Sequence, residues 1–335
     1  MCVIASSTAL TRLSEWPRLK LANLPTPIRP LARLAQALGH PALDLLVKLD
    51  AETGFGLGGN KVRKLEFELA PERLEGITCL ITAGGPQSNH CRVTAAAAAR
   101  LGLGCALIVT GPEPDTPTGN ALLHRLFGAE IVIVPEREDR STQLQSTAVD
   151  IEMEGGHPLV IPIGASTGLG SLGYAAAAIE LFKQVANQKP LPERTVVFVA
   201  SSSCGTLAGL LLGISLLKLT NVLLVGVSAD MSALEIEEHT QQIAHEGTDL
   251  LGWNGALLTD SVKAIDDQVG DGYGLSTESS DEALRMFALD EGLVLDPTYT
   301  AKAAAGLISW VRTGMVSDLD RVVFLHTGGH PGLLA

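Results

Sequence analysis

Six short runs of apolar residues recur along the chain, each closed by turn-forming residues: Cys79-Leu80-Ile81-Thr82, Ala106-Leu107-Ile108-Val109, Ile131-Val132-Ile133-Val134, Val196-Val197-Phe198-Val199, Val222-Leu223-Leu224-Val225 and Val322-Val323-Phe324-Leu325. A strand with one wet face alternates apolar and polar residues, and these do not. They read as strands buried on both faces. Between them lie stretches of helical composition, at Val93 to Leu101, Asn120 to Phe127, Tyr174 to Val185, Thr206 to about Leu219, and Ser280 to Glu291. Strand and helix in regular alternation predict an α/β protein with parallel sheets flanked by helices. A chain of 335 residues suggests about two domains, so two sheets are expected rather than one. The glycine-rich stretch from Gly164 to Gly173 reads as a hinge or domain boundary.

A formal net charge of −13 argues against nucleic acid and against an anionic membrane surface as partners, because both need a basic footprint. The apolar runs fall short of membrane-spanning length. Cys2, Cys79, Cys91, Cys105 and Cys204 are odd in number and show no metal-binding spacing, which suits reduced thiols in a cytoplasmic setting. The start, Met1-Cys2-Val3-Ile4-Ala5, lacks the basic segment of a secretory signal. A cytoplasmic protein is expected.

In open α/β sheets ligands gather where strands end, and the residues just beyond the strands here are unusual. After the expected strand Leu45 to Leu49, Gly56-Leu57-Gly58-Gly59-Asn60-Lys61 leads into a helical run from Arg63 to Leu69. Glycines admit close backbone approach, and a lysine amine held out of water at such a junction has a lowered pKa and can form a Schiff base with an aldehyde cofactor. A solvated basic helix start is the other reading. In Gly84-Gly85-Pro86-Gln87-Ser88-Asn89-His90, backbone N–H groups, a hydroxyl, an amide and an imidazole meet at a helix N-terminus, which suits a carboxylate or simply caps the helix. Ala200-Ser201-Ser202-Ser203-Cys204-Gly205-Thr206 resembles a phosphate cradle without the Walker lysine, so a phosphomonoester fits better than a nucleoside triphosphate. A serine-rich helix cap is the alternative there. Tyr299, in Asp296-Pro297-Thr298-Tyr299-Thr300, could lie on a planar ring or be a buried structural tyrosine. In His326-Thr327-Gly328-Gly329-His330 the glycines disfavour a helical metal face, and Thr327 is placed to meet a ligand.

A Schiff-base lysine, a neutral phosphate cradle, an aromatic side chain and a carboxylate site are together what pyridoxal 5′-phosphate requires. The same motifs, Gly58-Gly59-Asn60-Lys61 with Arg63-Lys64-Leu65-Glu66, Gln87-Ser88-Asn89-His90, Gly205-Thr206 with Ala208-Gly209, Asp296 to Thr300 and His326 to Gly329, resemble in order those of the D-cysteine desulfhydrase and 1-aminocyclopropane-1-carboxylate deaminase family. The resemblance implies a two-domain fold type II (tryptophan synthase β-like) enzyme with the cofactor between its domains. Residues 1–62 plus 173–335 would form the large domain and 63–172 the small one. It implies Lys61 as the Schiff-base lysine, Asn89 at the cofactor's ring hydroxyl, and Ser88 with the N–H groups of Asn89 and His90 at the substrate carboxylate. Ser203, Cys204, Gly205 and Thr206 would cradle the phosphate, Tyr299 would lie against the ring, and Tyr273 would be the second active-site tyrosine. Cys204 departs from the small or hydroxylated residue expected there.

Cyclopropane deaminases of that family carry glutamate, leucine and glutamine where this chain has Thr300, Thr327 and His90. A glutamate near the pyridine nitrogen would keep it protonated and make the ring a strong electron sink, whereas a threonine polarises it weakly. A weaker sink suits α,β-elimination. The expectation is therefore a homodimeric lyase acting on a small amino acid, D-cysteine first, releasing sulfide, pyruvate and ammonia, with Lys61 as general base. L-Cysteate sulfo-lyase is the nearest alternative, followed by 1-aminocyclopropane-1-carboxylate deaminase and a non-catalytic ligand-binding homologue. A nicotinamide oxidoreductase is disfavoured by the missing dinucleotide fingerprint.

Overall fold

A computed structural model describes residues 8–112, 115–186 and 192–335. Its strands form two sheets. The larger has six strands in the order β1-β2-β10-β7-β8-β9, made of β1 (Ile28–Pro30), β2 (Asp44–Lys48), β7 (Thr195–Ser201), β8 (Val222–Ser228), β9 (Val262–Ile265) and β10 (Arg321–Leu325). Only the short edge strand β1 runs antiparallel to its neighbour. The smaller sheet is wholly parallel, β5-β4-β3-β6, from β3 (Cys79–Gly84), β4 (Gly104–Thr110), β5 (Glu130–Val134) and β6 (Pro158–Val160).

The doubly buried strands behave as their composition requires. On β7 and β10, Val196, Phe198, Val322 and Phe324 point to one face, where they pack with Phe287 of α10 (Glu278–Glu291) and Trp310 of α11 (Thr300–Arg312). Val197, Val199, Val323 and Leu325 point to the other, against α7 (Gly168–Val185) and α8 (Gly205–Leu216), with Ile236 from α9 (Ala233–Leu251). Each such side chain contributes roughly 1.5–3 kcal/mol by leaving water, and Phe198 adds an edge contact to Trp310 at 5.3 Å. The small sheet is covered on one side by α3 (Asn60–Glu68) and α4 (Asn89–Leu101), and on the other by α6 (Asp139–Met153). The remaining helices are α1 (Thr8–Glu15), α2 (Ala32–Ala37) and α5 (Gly119–Leu126).

The stretch from Gly164 to Gly173, read as a hinge or domain boundary, is helical from Gly168 onward. A turn at Gly164 (φ +71°) is followed at once by α7, which begins at Gly168. The later glycines are packing positions. A Cβ at Gly173 would come within 2.2 Å of the Arg63 carbonyl oxygen, and one at Gly209 of α8 within 2.2 Å of that of Ser171. Their absence lets α3, α7 and α8 cross closely. Elements without a counterpart in the sequence reading include β1, β9 and α6. The first two are three and four residues long, and α6 buries only Leu144 fully, so its apolar period is faint.

Candidate active site

The lysine loop is wedged between the ends of β2 and β10. Gly59 donates its N–H to Thr53 Oγ1 at 2.8 Å, and Asn60 donates to the Thr327 carbonyl at 2.9 Å. Gly58 has φ +70°, and a Cβ there would lie 2.0 Å from the Ala51 carbonyl oxygen. Only glycine fits such a position. This packing sets Lys61 in the first turn of α3, facing a cavity of about 120 Å³ between the two sheets. The reading of α3 as a solvated basic start fails, because Val62 to Glu68 are all buried. Burial lowers the Lys61 amine to about 8. Lys64 is fully buried beside it, is pushed well below the usual lysine range by burial and then by Lys61, and donates to Ser166 Oγ at 3.1 Å.

Across the cavity, Ser88 caps α4: its Oγ accepts the Cys91 N–H at 3.2 Å. Capping and ligand binding are compatible here, since a hydroxyl that accepts still has its proton to donate. The N–H groups of Asn89 and His90 belong to the first turn, which has no intrahelical acceptors. Asn89 is oriented by Asn120 of α5, whose Nδ2 donates to Asn89 Oδ1 at 2.9 Å and to the Gln87 carbonyl at 2.8 Å. The Asn89 side-chain NH₂ is thereby left as its available donor. The His90 ring is engaged elsewhere. Thr82 Oγ1 donates to the Ile161 carbonyl at 2.8 Å, so His90 Nε2 must carry a proton to donate to Thr82 Oγ1 at 2.9 Å. Burial, with Lys61 and Lys64 nearby, holds the ring well below the usual histidine pKa. It is a neutral imidazole bonded to β3, and its backbone N–H is the group positioned for a ligand.

At the third wall, the loop after β7 enters α8 through Cys204 at φ +61°. Its thiol is buried and reaches the Ser202 carbonyl at 3.4 Å, so the cysteine side chain turns inward and leaves the helix N-terminus clear. Ser166 Oγ donates to Ser203 Oγ at 2.8 Å and accepts from Gly205 N at 3.3 Å. Asn60 Nδ2 donates to Thr206 Oγ1 at 2.9 Å. The room is bounded tightly: a Cβ at Gly205 would lie 2.7 Å from Ser166 Oγ, and one at Gly164 2.4 Å from Ser203 Oγ.

Tyr273 and Tyr299 close the cavity with their hydroxyls hydrogen-bonded and their rings edge to face, centroids 5.9 Å apart. Burial raises both phenols, that of Tyr299 well above the usual value. The Tyr273 loop is tied down by Lys302, whose Nζ donates to the Val269 and Gly272 carbonyls at 2.7 and 3.0 Å. Thr327 also lines the cavity. Thr300 does not. Its hydroxyl donates to Asp296 Oδ1 at 2.7 Å and accepts from Asp296 N at the same distance; the side chain is fully buried at the start of α11. The expected contact of Thr300 with substrate or ring is corrected accordingly. Its neighbour Asp296 also holds the Thr298 and Tyr299 N–H groups, which makes the motif a rigid mount for Tyr299.

The expected groups at Lys61, Ser88, Asn89, His90, Ser203, Cys204, Thr206, Tyr273, Tyr299 and Thr327 thus line one cavity. Sequence reasoning missed Lys64, Asn120 and Ser166, and also Arg137 and Arg140, which line the same cavity. A polar side chain at a helix position gives no local sign of which cavity it will meet. No aspartate or glutamate is among the lining residues, and the described residues hold no cluster of three potential metal ligands. No helix among them is long and apolar enough to cross a membrane.

The sequence profile of a family described as pyridoxal-phosphate dependent enzyme matches residues 19–328. A D-cysteine desulfhydrase of Salmonella choleraesuis (strain SC-B67) is 39% identical over 331 residues, spanning 97% of this chain and 98% of that protein. One from Salmonella newport (strain SL254) is 40% identical over the same spans. Among solved structures, an ACC deaminase homologue is similar with a TM-score of 0.86 at 32% identity, over 98% of this chain and 96% of that one. Threonine deaminase isoform 2 from Solanum lycopersicum, at 16% identity and a TM-score of 0.65 over 96% of this chain and 83% of its own, shares the fold.

Proposed function

The chain belongs to the pyridoxal-phosphate dependent enzymes, and from that premise we propose that it is a carbon–sulfur lyase that eliminates sulfide from D-cysteine, giving pyruvate and ammonia. The residues present fit the cofactor. The cavity joins a depressed lysine amine, the open N-terminus of α8 and a second buried lysine behind Ser166, with no carboxylate on its lining. Such a site favours a phosphate dianion and leaves an amine free for a carbonyl. Residues Ser203 to Thr206, with Ser166 and Lys64, would hold the phosphate. Lys61 would hold the aldehyde carbon, Asn89 the ring oxygen, and Tyr299 one face of the ring, with Thr327 at its edge. In this reading the cofactor lies between a large domain of 1–62 plus 173–335 and a small one of 63–172.

When bound, pyridoxal phosphate supplies the electron sink for the pair released at Cα. The rest is work for this chain. Ser88 Oγ and the N–H groups of Asn89 and His90 bind the substrate carboxylate and fix which bond at Cα faces the sink. Lys61, with a pKa near 8, is partly neutral near neutrality and takes the Cα proton. Tyr273 stays protonated and holds the Tyr299 hydroxyl, so both rings remain neutral against the site. Asn120 and Asp296 act at one remove, by setting the Asn89 amide and the Tyr299 backbone.

The observation that carries the reading is the meeting, in one acid-free cavity, of Lys61, the open N-terminus of α8 and the Ser88 cap. The relatives at 39–40% identity supply the substrate. Holoenzyme incubated with D-cysteine should release sulfide and pyruvate in equal amounts. No release from D-cysteine, L-cysteine or any other β-substituted alanine overturns the proposal. A homodimer in the cytoplasm is part of the same reading, and sedimentation equilibrium of the holoenzyme tests the subunit number.

A further inference from the structure

We propose that Arg140 is the residue that reads charge on the substrate's β-substituent, favouring an anionic sulfur group. It stands in the first turn of α6 with its guanidinium half-buried at the cavity wall. Its Nε donates to Thr110 Oγ1, at the end of β4, at 2.5 Å. A Cβ at Gly85 would lie 3.9 Å from its terminal nitrogen, which puts the guanidinium beside the loop leading to the Ser88 cap. From there its charge also reaches Tyr273 and Tyr299.

Two features say that this arginine is not placed for stability. A cation in the first turn of a helix opposes the helix dipole. No described carboxylate pairs with it either, whereas its neighbour Arg137 is held by Asp230 at 2.9 Å. Burial and Arg137 both lower its pKa, the direction expected for a cation short of a counter-charge. In the function proposed above, on which this inference rests, the phosphate and the α-carboxylate already have their donors. The substrate group left to face Arg140 is the β-substituent. Elimination breaks the Cβ–S bond and the electron pair leaves with sulfur, so cysteine releases sulfide and cysteate releases sulfite. A fixed guanidinium favours an anionic substituent before the bond breaks and the growing charge on sulfur as it breaks.

Binding to the holoenzyme is the direct test, with 3-sulfopropanoate and propanoate as probes. Both carry the carboxylate, neither has an α-amino group to react, and only the first carries the sulfonate. Calorimetry should show 3-sulfopropanoate bound about ten- to a hundredfold tighter, the scale of one charge-assisted hydrogen bond. Arg140→Gln should erase that preference and Arg140→Lys should keep part of it. Turnover gives a second measure: in Arg140→Gln, kcat/KM should fall at least tenfold more for cysteate, whose substituent is anionic before the bond breaks, than for β-chloroalanine, whose substituent is neutral until it leaves. Equal affinity of the two probes for the wild-type protein, or a preference that survives in Arg140→Gln, overturns the inference. So does an equal fall for all substrates, which would make Arg140 an α-carboxylate or structural residue. Absence of elimination with every substrate would instead overturn the function proposed above, and the probe affinities would still decide the role of Arg140.

Discussion

Arg63 and Lys64 are consecutive residues of α3, both almost fully buried, and they face opposite electrostatic surroundings. Arg63 enters a network in which each charge has a counter-charge. Its Nε donates to Asp50 Oδ2 at 2.8 Å and its terminal nitrogens donate to Asp50 and Glu180. Tyr174 donates to Asp50 at 2.6 Å, and Lys48 meets Glu180 and Gln184. Despite burial, Asp50 and Glu180 are held below the usual carboxylate range, chiefly by Arg63. Lys61 faces a cavity without an acid on its lining, Lys64 lies beside it, and burial pulls both amines down. One region keeps its charges by pairing them. The other keeps amines that are ready to lose a proton and to accept an anion. Paired buried charge locks α3 to α7 and β2, and the unpaired side is thereby free to be chemical.

The contrast breaks first at Lys61. Lys61→Ala should abolish turnover and covalent fixation of the cofactor by borohydride, with the denaturation midpoint of the cofactor-free protein little changed. If Lys61→Ala is still fixed and Lys64→Ala is not, the reactive amine has been assigned to the wrong residue.

Arg63→Met should do the reverse. Removing one member of a buried ion network leaves Asp50 without its main counter-charge, at a cost of about 3–5 kcal/mol, measured by chemical denaturation. The network also fixes a sign with pH. Asp50 and Glu180 have folded pKa values below their unfolded ones, so their stabilisation is present above the ordinary carboxylate range and is lost as pH falls through the folded values. Arg63→Met should weaken that loss in acid. A variant as stable as the wild type, with unchanged acid sensitivity, would show that the pairing is not what holds α3.

Ser88→Ala removes one charge-assisted hydrogen bond to the substrate, on the order of 1.5–3 kcal/mol. kcat/KM should drop by roughly ten- to a hundredfold while the cofactor's visible spectrum stays. Complete inactivity, or a substrate adduct trapped on Ser88, would move the chemistry away from Lys61.

The smallest effect concerns the cofactor-free protein in alkali. Lys61 has a folded pKa near 8, below its ordinary 10.5. Between those values the unfolded chain binds more protons, so stability should rise with pH across that window. Lys61→Met should flatten the rise. An identical slope in the variant would place the Lys61 amine in water.

Much of this was legible in the chain, because it depends on neighbours in sequence. Doubly apolar strands separated by helices demand buried parallel sheets. Glycines ahead of Lys61 and hydroxyls ahead of α8 carry their backbone chemistry wherever the chain goes, which is why those loops stood out as candidate sites, while the roles of Lys61, Ser88, Asn89 and Ser203 to Thr206 came from the family resemblance. What a charged or polar side chain faces is set by residues far along the chain. Arg63 and Lys64 look alike in sequence, and only the packing of α3 between α7 and the two sheets gives one its carboxylates and denies them to the other. Thr300 seemed a ligand contact until Asp296 took its hydroxyl. Arg140 carried no mark, since a guanidinium without a counter-charge is visible only when its surroundings are in place. The sequence by itself determined the layers and the reactive loops, through local backbone preference and apolar pattern; tertiary structure alone decided which charges are compensated, because Coulomb energy and desolvation depend on distance in space.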